Sequence, residues 1–159
     1  MTNTTRKAGK QTADRDATTG WSDDERAAMK ERAAEMRAAS TRKSAADKAA
    51  AEEQDCLAKI AELPDGERVL AERVHALIKN AAPELAPKTW YGMPAYAKDG
   101  KLICFFQPAA KFKARYATLG FDANANLDDG DMWPTSYAIT RLGESEEKLI
   151  TELVTRAVG

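Results

Sequence analysis

The chain has 159 residues, the length of one domain or of one domain with an appendage. Its 24 Lys and Arg residues oppose 25 Asp and Glu residues, and the resulting charge of −1 excludes the strongly basic balance typical of general nucleic-acid or membrane binding. No apolar run reaches the ~18 residues of a membrane span, and residues 1–20 lack the apolar core of a secretion signal. The sequence therefore predicts a cytoplasmic protein.

Few residues are suited to catalysis. Cys56 and Cys104 lie 48 positions apart, which forms neither a redox pair nor a metal knuckle. Both occupy apolar stripes, where cysteine behaves as a small hydrophobe. His75 is the one histidine, on the polar side of a predicted helix. Because the sequence also has no phosphate loop and no dinucleotide fingerprint, we predict that the protein is not an enzyme and has no catalytic residues.

Composition divides the chain into three parts. Residues 1–56 contain no Leu, Ile, Val, Phe or Tyr, whereas ten of the eleven aromatic residues lie between Trp90 and Tyr137. An apolar-poor segment cannot offset the entropy of folding alone. We therefore predict a disordered tail over 1–20, a helical extension and linker over 21–53, and a folded domain over 54–159.

The extension begins with a capping box, Ser22 followed by Glu25, which opens a helix to about Ala39. Met29, Ala33 and Met36 share one face of this helix and form a thin apolar stripe. A solvated helix is the favoured interpretation. The alternative is that residues 21–39 dock onto the domain or onto a protein partner.

Within the domain, the spacing of apolar residues is first helical, then typical of strands, and helical again at the end. This order predicts an α+β fold, with helices packed on a mostly antiparallel sheet of about four to five strands. The predicted helices are Ala45–Leu63, Glu67–Ala82 and Glu144–Ala157, and the predicted strands are Lys88–Tyr91, Ala95–Lys98, Leu102–Gln107, Arg115–Phe121 and Ser136–Thr140.

Two proline-bearing aromatic turns are candidate walls of one ligand site. Pro94 and Pro134 fix the chain direction beside them. A concavity walled by aromatic rings with cations at its rim suits a small anionic or aromatic ligand, although corner packing of the sheet explains the same residues. The candidate residues are Trp90, Tyr91, Met93, Tyr96, Lys101, Lys113, Arg115, Trp133 and Tyr137.

Two further segments carry charge. Asp128, Asp129 and Asp131 could supply hard oxygen ligands to a cation such as Fe²⁺, although a solvated turn also favours these residues. In the 111–115 stretch, Lys111, Lys113 and Arg115 alternate with Phe112 in a predicted extended segment. That alternation is compatible with a nucleic-acid contact, and more often marks a protected edge strand.

Several blocks resemble the YdhG-like family of small bacterial domains of unknown function. They are Trp90–Tyr96, Gly100-Lys101 before an apolar strand, Leu127–Gly130 and Trp133–Ile139. The resemblance covers residues 60–158 and implies helices packed on an antiparallel sheet. The Ser22–Ala39 helix is similar to an extension in one branch of the family. One branch is described as a frataxin-like iron chaperone, and this sequence departs from it after Tyr116.

The sequence thus predicts a non-catalytic cytoplasmic binding protein. The resemblance makes iron handling, with Fe²⁺ as the bound ion, one expectation. The alternatives are a module for small anionic or aromatic ligands and a nucleic-acid-binding protein that uses the 111–115 stretch. No membrane partner is expected.

Overall fold

The structure is a computed structural model that describes residues 20–40 and 44–159. It confirms the predicted α+β class, with five strands in one sheet. The elements are α1 (Asp23–Ser40), α2 (Ala45–Ala61), α3 (Asp65–Ala81), β1 (Ala86–Trp90), β2 (Met93–Lys98), β3 (Lys101–Gln107), a 3₁₀ turn (Ala110–Phe112), β4 (Ala117–Phe121), β5 (Ser136–Ile139) and α4 (Glu144–Ala157).

The sheet is an antiparallel meander in which strand order follows chain order from β1 to β5. Two hairpins use two-residue turns, Tyr91-Gly92 and Asp99-Gly100. All four of these residues have positive φ angles. This backbone belongs to the turn class whose twist matches that of the flanking strands.

One face of the sheet, the helix-covered face, packs against α2, α3 and α4. Apolar residues spaced at helical intervals point at the sheet because each helix presents a single stripe. Tyr96, Phe106 and Leu119 form the sheet side of this core, and the helices add Cys56, Ile60, Val74, Ile78, Leu153 and Val154.

The opposite face, which we call the aromatic face, is defined by residues that are neighbours in the strand register. Trp90 lies beside Met93, Ala95 lies beside Phe105, and Phe105 lies beside Gly120. Because successive side chains of a strand alternate between the two faces, these five residues share a surface that the three core helices do not cover.

The prediction of an extended Arg115–Phe121 strand is wrong at its start. Ala110–Phe112 form a 3₁₀ turn, Lys113 adopts a left-handed conformation with φ of 51°, and β4 begins only at Ala117. The chain therefore curls back where the alternating pattern predicted a straight edge.

The predicted tail over 1–20 lies outside the described residues except for Gly20. The predicted domain boundary at residue 54 falls inside α2, which is exposed in its first half and enters the core from Cys56 onward. Within the described residues, no helix is both long and apolar enough to cross a membrane.

Candidate functional site

A groove of about 300 Å³ lies between α1 and the aromatic face. Trp90 lines the groove, with its ring centroid 4.9 Å from that of Tyr91 and 5.1 Å from that of Phe105. Such edge and tilted contacts are the geometries that aromatic rings prefer. We call this feature the aromatic groove; its lining is Trp21, Glu25, Ala28, Met29, Trp90, Tyr91, Met93, Phe105, Gln107 and Phe112.

Tyr91 enters the groove from a strained backbone. Its φ of 52° is uncommon for a bulky residue. Tyr91 is the first residue of its two-residue turn, and turns with positive φ at both residues favour Asn, Asp or Gly at this first position. The Asp99-Gly100 turn in the same sheet has Asp, one of these favoured residues, at its first position. The Tyr91 ring lies against Trp90 and under the guanidinium of Arg32, whose central carbon is 5.9 Å from the ring centroid.

Gly120 makes room for the Phe105 ring. A Cβ atom on Gly120 would lie 2.2 Å from Cζ of Phe105, so the ring occupies the place of the missing side chain. Phe105 lines the groove and pairs in register with Gly120 across β3 and β4, so the absence of a side chain at Gly120 lets the ring lie over β4.

Helix α1 docks on the domain, which was the alternative interpretation of the sequence, and it docks by a different face from the one that the stripe indicated. Ala28 is 4% exposed, whereas Met29 and Met36 are 46% and 61% exposed. The residues turned toward the domain recur at helical spacing and are mostly charged: Asp24, Ala28, Glu31, Arg32, Glu35 and Ala39.

Two glutamates of α1 make the contacts nearest the Tyr91-Gly92 turn. Glu31 Oε1 lies 2.6 Å from Lys111 Nζ, and Glu31 Oε2 lies 3.2 Å from Lys59 Nζ. The Gly92 backbone N–H donates a hydrogen bond of 2.9 Å to Glu35 Oε1. Burial acts to raise the pKa of Glu31, but the hydrogen bond and charge of Lys111, with those of Lys59, outweigh it and leave the pKa lowered.

The nine predicted ligand residues do not line one concavity. Trp90, Tyr91 and Met93 lie in the aromatic groove. Tyr96 is fully buried on the helix-covered face, because it stands three residues after Met93 on the same strand and points the other way. Trp133 and Tyr137 pack against the core beside β5, at the far edge of the sheet from β1.

The predicted cations are also dispersed. Lys101 follows the Asp99-Gly100 turn, at the opposite end of β2 from the groove. Lys113 Nζ pairs with Asp24 at 3.3 Å, and Arg115 lies over the Tyr116 ring at 5.2 Å. Because Lys111 is paired with Glu31, the 111–115 stretch does not form the open row of cations that the nucleic-acid interpretation required.

Asp128, Asp129 and Asp131 are exposed in the loop before β5. In the part of the chain that the structure describes, no three His, Cys, Asp or Glu side chains come together in a group that could hold a metal ion. The predicted three-aspartate ligand set is therefore not assembled, since loop neighbours share a site only when the backbone turns their side chains inward.

His75 contributes to the core and not to the groove. Its Nδ1 lies 2.9 Å from the Tyr96 hydroxyl, and the two rings are 5.6 Å apart. Burial lowers the pKa of His75, the charge of Lys79 lowers it further, and Glu53 partly opposes both. The neutral imidazole is thus the form that the folded protein favours.

This lowered pKa predicts a stability change near neutral pH. The unfolded histidine, with a pKa of 6.5, binds more protons than the folded one. The contribution of His75 to stability is therefore complete above pH 6.5 and is lost as the pH falls below 6.5 through the lower pKa of the folded state. We expect thermal unfolding of the wild type to occur at lower temperature at pH ~5.5 than at pH ~7.5, and this difference to shrink in His75→Gln. An equal pH dependence in both proteins would contradict the assignment.

Both cysteines are buried core residues, as the sequence predicted. Cys56 lies on α2 and Cys104 on β3, and neither is in a disulfide. Burial raises the pKa of each thiol to about 12. Thiolate chemistry is therefore suppressed at both positions.

Sequence reasoning missed Trp21, Phe105 and Phe112 as groove residues and Glu31 and Glu35 as docking residues. Trp21 was separated from the other aromatic residues by almost seventy positions, so only the docking of α1 brings it near. A signal for Gly92 was present, since a glycine after Tyr91 between two strands indicates a two-residue turn.

Comparison with known proteins gives no match to a protein-family model, a curated protein or a solved structure. The YdhG-like resemblance and its iron-chaperone branch thus stay predictions made from the sequence blocks alone.

Proposed function

We propose that this protein is a non-catalytic binding protein that holds a planar aromatic group in the aromatic groove. The proposal is supported chiefly by Tyr91. A bulky residue at positive φ costs stability, and such strain persists where a side chain must be presented in a particular direction. Here the strain places the Tyr91 ring against Trp90 and on the groove wall.

The groove has the composition of a small-ligand site. Most of its lining residues are aromatic residues and methionines, and Glu25 and Gln107 are its polar lining residues. Sites for small molecules are concave and mostly apolar, with few polar groups that orient the ligand. Stacking against Trp90 or Phe105 would favour a flat ligand over a branched one.

The experiment is a fluorescence titration with the dye 1-anilinonaphthalene-8-sulfonate, an anionic aromatic probe. We expect saturable binding to the wild type, and Tyr91→Asn to weaken it about tenfold, because one wall ring is removed. Tyr116→Asn is the matched control, since Tyr116 is exposed and lies outside the groove. Equal binding by all three proteins would overturn the proposal.

The same variant separates binding from folding. Tyr91→Asn gives the turn a residue type that its backbone conformation favours. We therefore expect the free energy of unfolding either to stay unchanged or to rise by up to about 1 kcal/mol. Urea denaturation measures it. A gain in stability together with a loss of dye binding would show that Tyr91 is retained for the ligand. A large loss of stability would instead make the ring a packing residue.

The expectation of iron handling now rests on the sequence resemblance alone, and the expectation of no enzymatic activity stays a prediction. Anaerobic Fe²⁺ calorimetry on the wild type and on a variant with Asp128, Asp129 and Asp131 changed to Asn tests the first. Heat that is lost in the variant would support these residues as ligands.

A further inference from the structure

Helix α1 fills its own docking surface poorly. Its one buried apolar side chain is Ala28, and the neighbouring aromatic groove keeps about 300 Å³ unfilled. Its larger apolar side chains, Met29 and Met36, are about half exposed or more. A helix with a larger apolar residue at the position of Ala28 would bury more of the groove surface than α1 does.

The polar half of the docking surface is selective for acidic side chains. Lys59 and Lys111 lie on either side of the Glu31 carboxylate, and the Gly92 N–H binds the Glu35 carboxylate. Glu31 and Glu35 are four residues apart and therefore stand on one side of a helix. A helix with this spacing of acids complements the surface in charge.

The contacts that hold α1 are also of a kind that can be exchanged. Ion pairs that are partly exposed contribute little net stability, because the same charges are well solvated when they separate. One buried alanine adds a small apolar contact. The helix is thus bound by matched charges more than by buried area.

We propose that the surface under α1 is a docking site for an acidic amphipathic helix of a partner protein, and that α1 occupies it as an intramolecular ligand. The partner helix carries two acidic residues four positions apart and an aromatic side chain where α1 has Ala28. This inference builds on the proposed function, because that side chain is the group that enters the aromatic groove.

A second copy of this chain is the less suited occupant. Its α1 would bring the same Ala28 and the same two glutamates, so an exchange between copies forms the contacts that it breaks and gains none. A helix with a larger side chain gains burial in the groove and can displace α1 despite the high effective concentration of a linked segment.

The experiment uses the full chain and a labelled peptide of residues 21–40. Ala28→Arg places a charge at a buried position and should release α1, whereas Ala27→Arg is the matched control because Ala27 is exposed. Hydrogen exchange should show lost protection of α1 in Ala28→Arg and retained protection in Ala27→Arg. Glu35→Ala, which removes the acceptor of the Gly92 N–H, serves as a second releasing variant.

Fluorescence anisotropy then measures peptide binding. We expect the peptide to bind the Ala28→Arg protein, and to bind the Ala27→Arg protein and the wild type far more weakly. A peptide with Phe in place of Ala28 should bind about tenfold more tightly. Binding should weaken about tenfold between ~0.05 M and ~0.5 M NaCl. A peptide with Glu31→Lys should lose binding and regain it on a protein with Lys59→Glu and Lys111→Glu, because Glu31 is the residue that both lysines contact.

Three results would overturn the inference. The first is no peptide binding by a protein whose α1 is released, and the second is equal binding by the acidic and the lysine-substituted peptides. The third is a wild-type protein that light scattering shows to be a dimer and in which the two copies exchange α1. If the dye still binds the wild type and is lost in Tyr91→Asn, the proposed function stands and only the partner-helix inference fails.

Discussion

Tyr96→Ala should lower the free energy of unfolding by about 3–5 kcal/mol, the range for removing a large buried side chain. Tyr96 is fully buried between β2 and the helices, so the cavity cannot fill with solvent-facing side chains. Its hydroxyl also contacts His75 Nδ1 at 2.9 Å, and this partner would be left unsatisfied. Urea denaturation with the linear extrapolation measures the change.

Tyr96→Phe and Tyr116→Ala divide this effect. The first keeps the ring and removes the hydroxyl, so we expect a loss of about 1–2 kcal/mol. The second truncates a tyrosine that is 36% exposed, and we expect a change within about 1 kcal/mol. If Tyr96→Ala cost no more than Tyr116→Ala, the placement of Tyr96 in the core would be wrong.

Gly92→Ala should disturb both the Tyr91-Gly92 turn and the docking of α1. Gly92 has a φ of 74°, where a side chain costs about 1–2 kcal/mol. The added Cβ would also lie 1.8 Å from Glu31 Oε2 and 2.7 Å from Lys111 Nζ. We therefore expect both a loss of global stability and the release of α1, measured by urea denaturation and by hydrogen exchange.

Gly100→Ala is the control for this prediction. Gly100 has a similar φ of 79°, and nothing lies within 4 Å of a Cβ there. It should show the backbone cost alone and leave α1 protected. Equal effects of the two substitutions on α1 would mean that the contacts of Glu31 and Glu35 with the turn do not hold the helix.

The fold was accessible from the sequence where local patterns agree with the tertiary structure. The α4 stripe predicted Glu144–Ala157 without error, because capping, charge and apolar spacing all indicate the same ends. The predicted strands Ala95–Lys98 and Leu102–Gln107 leave room for only a short connection, and the structure has the two-residue turn Asp99-Gly100 there. The 111–116 segment failed, since its alternation of Lys and aromatic residues has the period of a strand while its backbone forms a 3₁₀ turn.

The groove was only partly predictable. Trp90, Tyr91 and Met93 are consecutive around one turn, so their proximity follows from the sequence. Met93 and Tyr96 are three positions apart on β2, and alternation of side chains along a strand places them on opposite faces of the sheet. The docking face of α1 could not be read in the same way, because an apolar stripe predicts burial and this helix instead buries glutamates against lysines that are distant in sequence.

Because both thiols are buried, we expect the native protein not to react with maleimides and other thiol reagents. With a pKa of about 12, Cys56 and Cys104 hold roughly one thiolate in 10⁵ molecules at pH 7. Labelling of these two positions would therefore require global unfolding, and its rate would report the rate or the population of that unfolding. A cysteine introduced at Met36, whose side chain is exposed, would be the one site to react quickly, so a dye could be attached to α1 without altering the wild-type background.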